Sequence, residues 1–173
     1  PDALVTGELK SALELVHLVH QTSNLEVGVA AFPEVHPESP HMEHDSMVLE
    51  MKQSAGATYA MTQLFFTVEA YTDLVESARK AGATMPIIPG LTAVGNAAKV
   101  LRMAEMSGAA IPVDLMKKLE SAGSEAEART IGMDYSIKLA RDLVDAGAPG
   151  LHIFSMNLSK AALEVARGAG LCQ

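Results

Sequence analysis

Two carboxylates and an imidazole stand just beyond an apolar run in Ala30-Ala31-Phe32-Pro33-Glu34-Val35-His36-Pro37-Glu38. A loop histidine can hydrogen-bond a cofactor or its own backbone, and paired carboxylates can do acid–base work. Glu34 and Glu38 lie beyond a strand end, where no regular geometry fixes their separation, so they read as loop caps or structural acids. His41, Glu43, His44 and Asp45 follow, but this spacing matches no compact ligand motif and no metal is expected. A second apolar run, Ala57 to Phe66, carries one long amide, Gln63, where a buried strand would have Val or Ile. An unpartnered buried amide costs about 1–3 kcal/mol by mutational measures. Gln63 therefore either bonds neighbouring backbone or offers its amide edge to a ligand. Lys52 lies among apolar residues, where an ammonium can pair with a pyrophosphate or snorkel to the surface. The single cysteine, Cys172, has no histidine nearby in sequence and does not read as a nucleophile. No G-x-G-x-x-G or Walker pattern occurs, so a Rossmann-type nucleotide fold is not supported.

The elements that must position these residues alternate. Leu9, Ala12, Leu13, Leu15, Val16 and Val19 recur at helical steps and predict a helix over 8–20. A strand over 26–32 has small and branched apolar residues on both faces, which predicts burial on both sides, as parallel sheets require. Helices follow over 42–54, from 67 to 81, and over 96–106, 112–121, 125–146 and 159–167. Strands are predicted over 58–66, 86–90 and 150–155. On alternation Tyr59, Met61, Gln63 and Phe65 share one face. Pro112 suits the first turn of its helix. Ala-Gly-Ala recurs at 55–57, 81–83 and 146–148, each time at a helix end leading toward a strand. This order argues for a parallel α/β sheet with right-handed crossovers. Polar groups at the carboxyl ends of such strands are how a (β/α) barrel builds a site. Four strands are half of an eight-stranded barrel, and a whole one needs roughly 250 residues. The expectation is one domain, 1–173, forming the C-terminal part of a (β/α)8 TIM-type barrel whose N-terminal half is not in this sequence.

The chain has 173 residues, a formal net charge of −8 and no tryptophan. An acidic chain without a basic cluster is a poor partner for nucleic acid or an anionic membrane. No apolar run is long enough to span a bilayer. One cysteine makes no internal disulfide, which favours a cytoplasmic compartment. The ten methionines are scattered and read as core filler.

Taken together, Ala30 to Glu38, Ala55-Gly56-Ala57 with Thr62-Gln63-Leu64-Phe65-Phe66, and Ile87-Ile88-Pro89-Gly90 resemble the methylenetetrahydrofolate reductases. Weaker echoes run from Gly108 to Pro112 and from Leu151 to Asn157. The resemblance implies a flavin-bearing barrel that uses NADH or NADPH to reduce FAD. It implies reduction of 5,10-methylenetetrahydrofolate to 5-methyltetrahydrofolate, in the one-carbon metabolism that feeds methionine biosynthesis. It implies that Phe32, His36, Asp45 and Lys52 bind the cofactor and that Gln63 touches folate and nicotinamide. The catalytic glutamate of the first strand, and an Arg-Gly-Asp loop, would lie upstream of Pro1. Folate and nicotinamide are then the partners, with no nucleic acid or membrane; a homo-oligomer stays open. The chain departs from the family pattern at four positions. Val48 replaces an Asn and Met51 an Arg, both cofactor contacts. Leu158 replaces an Arg that meets the folate, and Met103 a Phe that helps sandwich it. These departures keep two alternatives in view, a folate-binding or regulatory barrel without flavin turnover and a flavin-free reductase.

Overall fold

The computed structural model describes residues 8–172. Its elements run α1 (Ala12–Thr22), β1 (Gly28–Ala31), α2 (Met42–Ser54), β2 (Tyr59–Leu64), α3 (Val68–Lys80) and β3 (Ile87–Thr92). They continue as α4 (Ala97–Ser107), α5 (Val113–Glu120), α6 (Glu125–Asp145), β4 (His152–Phe154) and α7 (Ser159–Gly168). The four strands form one parallel sheet in the order β1-β2-β3-β4. Parallel neighbours need a crossover, and each helix or group of helices between successive strands supplies one.

Local chemistry explains most boundaries. Side-chain oxygens of Ser11, Thr67, Asn96 and Ser124 each accept from the backbone N–H three residues on, capping α1, α3, α4 and α6. The cap at Ser11 starts α1 later than the predicted Glu8. The three Ala-Gly-Ala repeats are one device used three times. Gly56, Gly82 and Gly147 take φ of 119°, 97° and 83°. The following alanine's N–H then donates to Lys52, Ala78 or Leu143, each at 3.0 Å. This closes the helix in a left-handed cap and turns the chain toward the next strand. Pro112 stands one residue earlier than expected, as the N-cap of α5, with no side-chain cap bond.

The core lies between the sheet and the helices. Val29, Ala31, Ala60, Ile87 and Leu91 pack with Leu49, Leu74, Ala78, Leu139 and Leu143. Each fully buried Leu contributes about 1.5–3 kcal/mol. A second cluster of Phe66, Val94, Val100, Leu115 and Leu119 seats α4 and α5 over the carboxyl ends of β2 and β3. Burial of β1 on both sides does not hold: Gly28 and Ala30 are exposed while Val29 and Ala31 are buried. Helices cover one face of the sheet, and no layer among the described residues covers the other.

The predicted alternation along β2 also stops short. Met61 pairs with Ile88 but Leu64 with Gly90, so an extra residue bulges from β2 between them. Tyr59, Met61 and Gln63 are half-buried, whereas Phe65, past the bulge, is buried. Thr62 bridges the irregularity, its hydroxyl accepting from the Gly90 N–H at 2.8 Å. β3 runs past the expected end at Gly90 because Leu91 and Thr92 pair with Ile153 and Phe154 of β4. A Cβ on Gly90 would meet the Thr62 carbonyl at 2.5 Å and the Phe154 ring at 2.7 Å, so only glycine fits there.

Candidate active site

In a parallel sheet the loops leaving every strand gather at one end. Two cavities of about 530 Å³ each open at that end. The first lies beyond β1, walled by Ala30, Ala31 and Phe32, by the start of α1 and by one face of α2. The second lies beyond β3 and β4. Gln63 stands at the end of β2, between them in strand order.

The first cavity gathers Phe32, His36, Asp45 and Lys52. A strand end delivers Phe32, the loop delivers His36, and two turns of α2 separate Asp45 from Lys52. The Asp45 carboxylate accepts the His36 backbone N–H at 2.7 Å and ties the loop to the helix. The His36 ring accepts from the Glu38 N–H through Nδ1 at 3.1 Å. That bond assigns the ring proton to Nε2, leaving Nε2–H as a free donor. The edge of one ring meets the face of the other between Phe32 and His36, with centroids 4.5 Å apart. Val35 holds the turn at φ 55°, an uncommon conformation for a β-branched residue. Burial lowers the Lys52 pKa, and the nearby Asp45 charge partly restores it.

Gln63 uses its carbonyl locally: Oε1 accepts from the Leu64 N–H at 2.9 Å. Its amide NH2 has no acceptor among the described residues. The side chain thus keeps its two N–H donors and one oxygen lone pair for a ligand. Glu34 is a structural acid, accepting the Ala110 N–H and tying the loop after β1 to the segment between α4 and α5. Burial raises its pKa, and the Ala110 bond opposes that rise. The His41 ring accepts from the His44 N–H at 3.3 Å, so it caps α2.

Sequence reasoning passed over several residues. Lys10 and Ser39 line the first cavity. The Ser39 hydroxyl is buried with no hydrogen-bond partner. Ser136 on α6 holds the loop after β3, accepting the Val94 N–H at 2.8 Å. Gly132, one turn earlier on α6, lets the Val94 and Gly95 carbonyls approach. Lone lysines and serines at loop starts give no pattern that would have singled them out. Met51, by contrast, does not line the first cavity and is 49% exposed, while Val48 does line it.

The donor set fits a flavin nucleotide. Two ammonium groups, Lys10 and Lys52, suit a phosphate-bearing ligand. An imidazole donor and the orphaned Ser39 hydroxyl supply further polar contacts. Phe32, Val48, Leu49 and Leu74 give an apolar wall for a flat ring or ribityl chain.

These features define a class, a parallel α/β fold with its site across the carboxyl ends of the strands. The chain belongs to the methylenetetrahydrofolate reductase family, whose model matches residues 3–170. It is 30% identical over 161 residues to the Escherichia coli 5,10-methylenetetrahydrofolate reductase, covering 92% of this chain and 54% of that protein. It is 32% identical over 164 residues to a probable NADPH-dependent methylenetetrahydrofolate reductase of Caenorhabditis elegans, covering 92% of this chain and 25% of that protein. The chain therefore spans about half the bacterial relative and a quarter of the worm one. Its fold matches a solved Clostridium thermocellum protein with a TM-score of 0.59 at 21% identity, over 90% of this chain and 57% of that one. That protein is described as uncharacterized and as binding two copies of 5-methyl-5,6,7,8-tetrahydrofolic acid. Family membership implies that the four strands are part of a (β/α)8 barrel.

Proposed function

We propose that this chain is the C-terminal part of a cytoplasmic methylenetetrahydrofolate reductase, bearing the flavin cavity and the Gln63 end of the substrate site. The observation that carries the reading is the convergence of Phe32, His36, Asp45 and Lys52 on one cavity. A bound FAD would supply hydride transfer between NADH or NADPH and 5,10-methylenetetrahydrofolate. The chain's own residues bind and orient. Lys52, whose charge Asp45 favours against the effect of burial, meets an anionic phosphate oxygen. His36 donates through Nε2, and Phe32 fixes the tilt of the imidazole. Gln63 offers its unpaired NH2 to a carbonyl or ring nitrogen of the pterin or nicotinamide, which would take turns over β2.

The test is the Gln63→Ala variant of the intact protein, with both half-reactions followed by stopped flow. Loss of one oriented hydrogen bond is worth about 0.5–1.5 kcal/mol, so each half-reaction should slow by about two- to tenfold. Unchanged rates in both would make Gln63 structural.

A second reading is a folate-binding barrel without flavin. Val48 in the flavin cavity and the presence of two cavities of equal size favour it. The fold shared with a protein described as binding two methyltetrahydrofolates is compatible with it. An absorption spectrum of the purified intact protein separates the two, because bound flavin supports the reductase and its absence after FAD addition supports the binder.

A further inference from the structure

Helix α6 reaches both loops that leave the middle of the sheet. Tyr135 and Ser136 are consecutive on it, so their side chains diverge by about 100°. Ser136 takes the loop after β3, accepting the Val94 N–H and donating its own proton to the Gly132 carbonyl at 2.9 Å. Tyr135 takes the other, its hydroxyl donating to the Phe66 carbonyl. Phe66 is buried and lies past the last pair of the β2–β3 ladder, Leu64 with Gly90. Its carbonyl therefore needs a donor from outside the sheet, and α6 provides it. Burial raises the Tyr135 pKa, and the charges of Glu69 and Asp142 raise it further. The hydroxyl thus keeps its proton and stays a donor at neutral pH.

We propose that Tyr135 is a positioning residue that sets the direction of the Gln63 amide. The inference rests on the reading of Gln63 given above and deepens it. Every step of the path is a covalent or a hydrogen bond. Tyr135 holds the Phe66 carbonyl, and with it the backbone that runs back through Phe65 to Leu64. The Leu64 N–H in turn holds Gln63 Oε1 at 2.9 Å. With Oε1 pinned, the amide plane is set and its NH2 points one way. The register of β2 is irregular between Met61 and Leu64, so the ladder alone does not fix this peptide. Without the Tyr135 hydroxyl, Phe66 is left with a buried acceptor and no donor, which is costly. The segment then shifts toward another donor, and the amide turns with it.

The experiment is a double-mutant cycle in the intact protein, with wild type, Tyr135→Phe, Gln63→Ala and the pair followed through both half-reactions by stopped flow. Tyr135→Phe keeps the ring and removes only the hydroxyl. It should slow the half-reactions by about two- to fivefold, less than loss of the amide itself. In the Gln63→Ala background the same change should do nothing further. The side-chain NH2 signal of Gln63, identified in a nitrogen–proton correlation spectrum by its loss in Gln63→Ala, should move in Tyr135→Phe. A Thr130→Val control removes an exposed hydroxyl bonded to Ala126 on the same helix and should leave rates and signal unchanged. An amide signal that stays put in Tyr135→Phe overturns the inference and makes the hydroxyl a purely structural donor, even if the variant is less stable to denaturant. Equal slowing in both backgrounds overturns it too, as do normal rates in Tyr135→Phe when Gln63→Ala is slow. If Gln63→Ala slows neither half-reaction, the reading of Gln63 as a substrate contact falls by itself. The amide signal then decides alone: moved, it shows that Tyr135 orients Gln63; unmoved, it removes the inference as well.

Discussion

Lys52 is the side chain whose chemistry the fold most alters in the first cavity. Burial holds its folded pKa below 10.5, with Asp45 opposing the shift. Between the lowered value and 10.5 the unfolded chain binds more protons than the folded one. Lys52 therefore costs stability at neutral pH, and that cost fades as pH rises through the window. A phosphate ligand acts the other way, favouring the charged ammonium and raising its pKa. FAD affinity should then be highest while Lys52 is protonated and should fall as pH rises past its lowered pKa. Titration by flavin fluorescence from neutral to alkaline pH reads this, with Lys52→Met as the reference that cancels titration of the flavin itself. A charge-assisted bond is worth roughly 1.5–3 kcal/mol, so Lys52→Met should weaken FAD binding about tenfold or more at neutral pH. Parallel pH profiles for the two proteins would remove Lys52 from the phosphate contact. Met51 gives the contrasting expectation. The resemblance makes it the place of a lost arginine fork, yet the side chain is half-exposed and off the cavity wall. Lys10 supplies the second cation instead. Met51→Arg should therefore leave the FAD dissociation constant unchanged within about twofold, and Lys10→Gln should raise it. A marked gain from Met51→Arg would return that position to the cofactor.

The loop after β3 tests how an element can hold a site from outside it. Gly132 on α6 lies against the backbone of that loop, where an added Cβ would meet the Val94 carbonyl at 2.5 Å and the Gly95 carbonyl at 2.7 Å. Backbone cannot move aside as a flexible side chain can. Gly132→Ala should gain helix propensity on α6 of up to about 1 kcal/mol. It should lose more by forcing the loop away and breaking the Ser136–Val94 bond, for a net destabilisation of about 1–3 kcal/mol. Chemical denaturation of the intact protein measures the sign, and a stabilised variant would refute the close approach. This contact also shows where the sequence ceased to be legible. Helices and their ends were readable because their signals are local: Met42 to Ser54 falls where it was expected, and the Ala-Gly-Ala turns announce themselves. Phe32, His36, Asp45 and Lys52, singled out by the resemblance, share one cavity. The bulge in β2 was not legible, because it depends on the pairing of Leu64 with Gly90 across two strands. The burial of β1 was misjudged because an apolar strand looks the same whether its second face is covered or open.

At the scale of the whole chain, the described residues leave the sheet with two open edges and one bare face. Among the described residues β1 pairs only with β2, and β4 only with β3, so both outer strands present unpaired backbone groups. The face away from the helices carries Gly28, Ala30, Tyr59, Met61 and Phe154 without a covering layer. In a closed barrel that face becomes the interior and is filled by side chains from alternate strands. The two edges meet partner strands there, which removes the open edge altogether. On the half-barrel reading proposed above, the remaining strands of a closed barrel would cover both the free edges and the bare face. A span ending at these edges, expressed alone, should not stay a monomer. Exposed strand edges and a large apolar patch both promote association. Sedimentation velocity over a concentration series should show higher oligomers or loss to aggregate. Binding of a hydrophobic fluorescent dye should fall when a polypeptide matching the missing strands is added. A monomer that stays monomeric at high concentration, binds no dye and unfolds in one cooperative transition would mean that these 173 residues close their own core, and the half-barrel reading would have to give way to a self-contained α/β sheet.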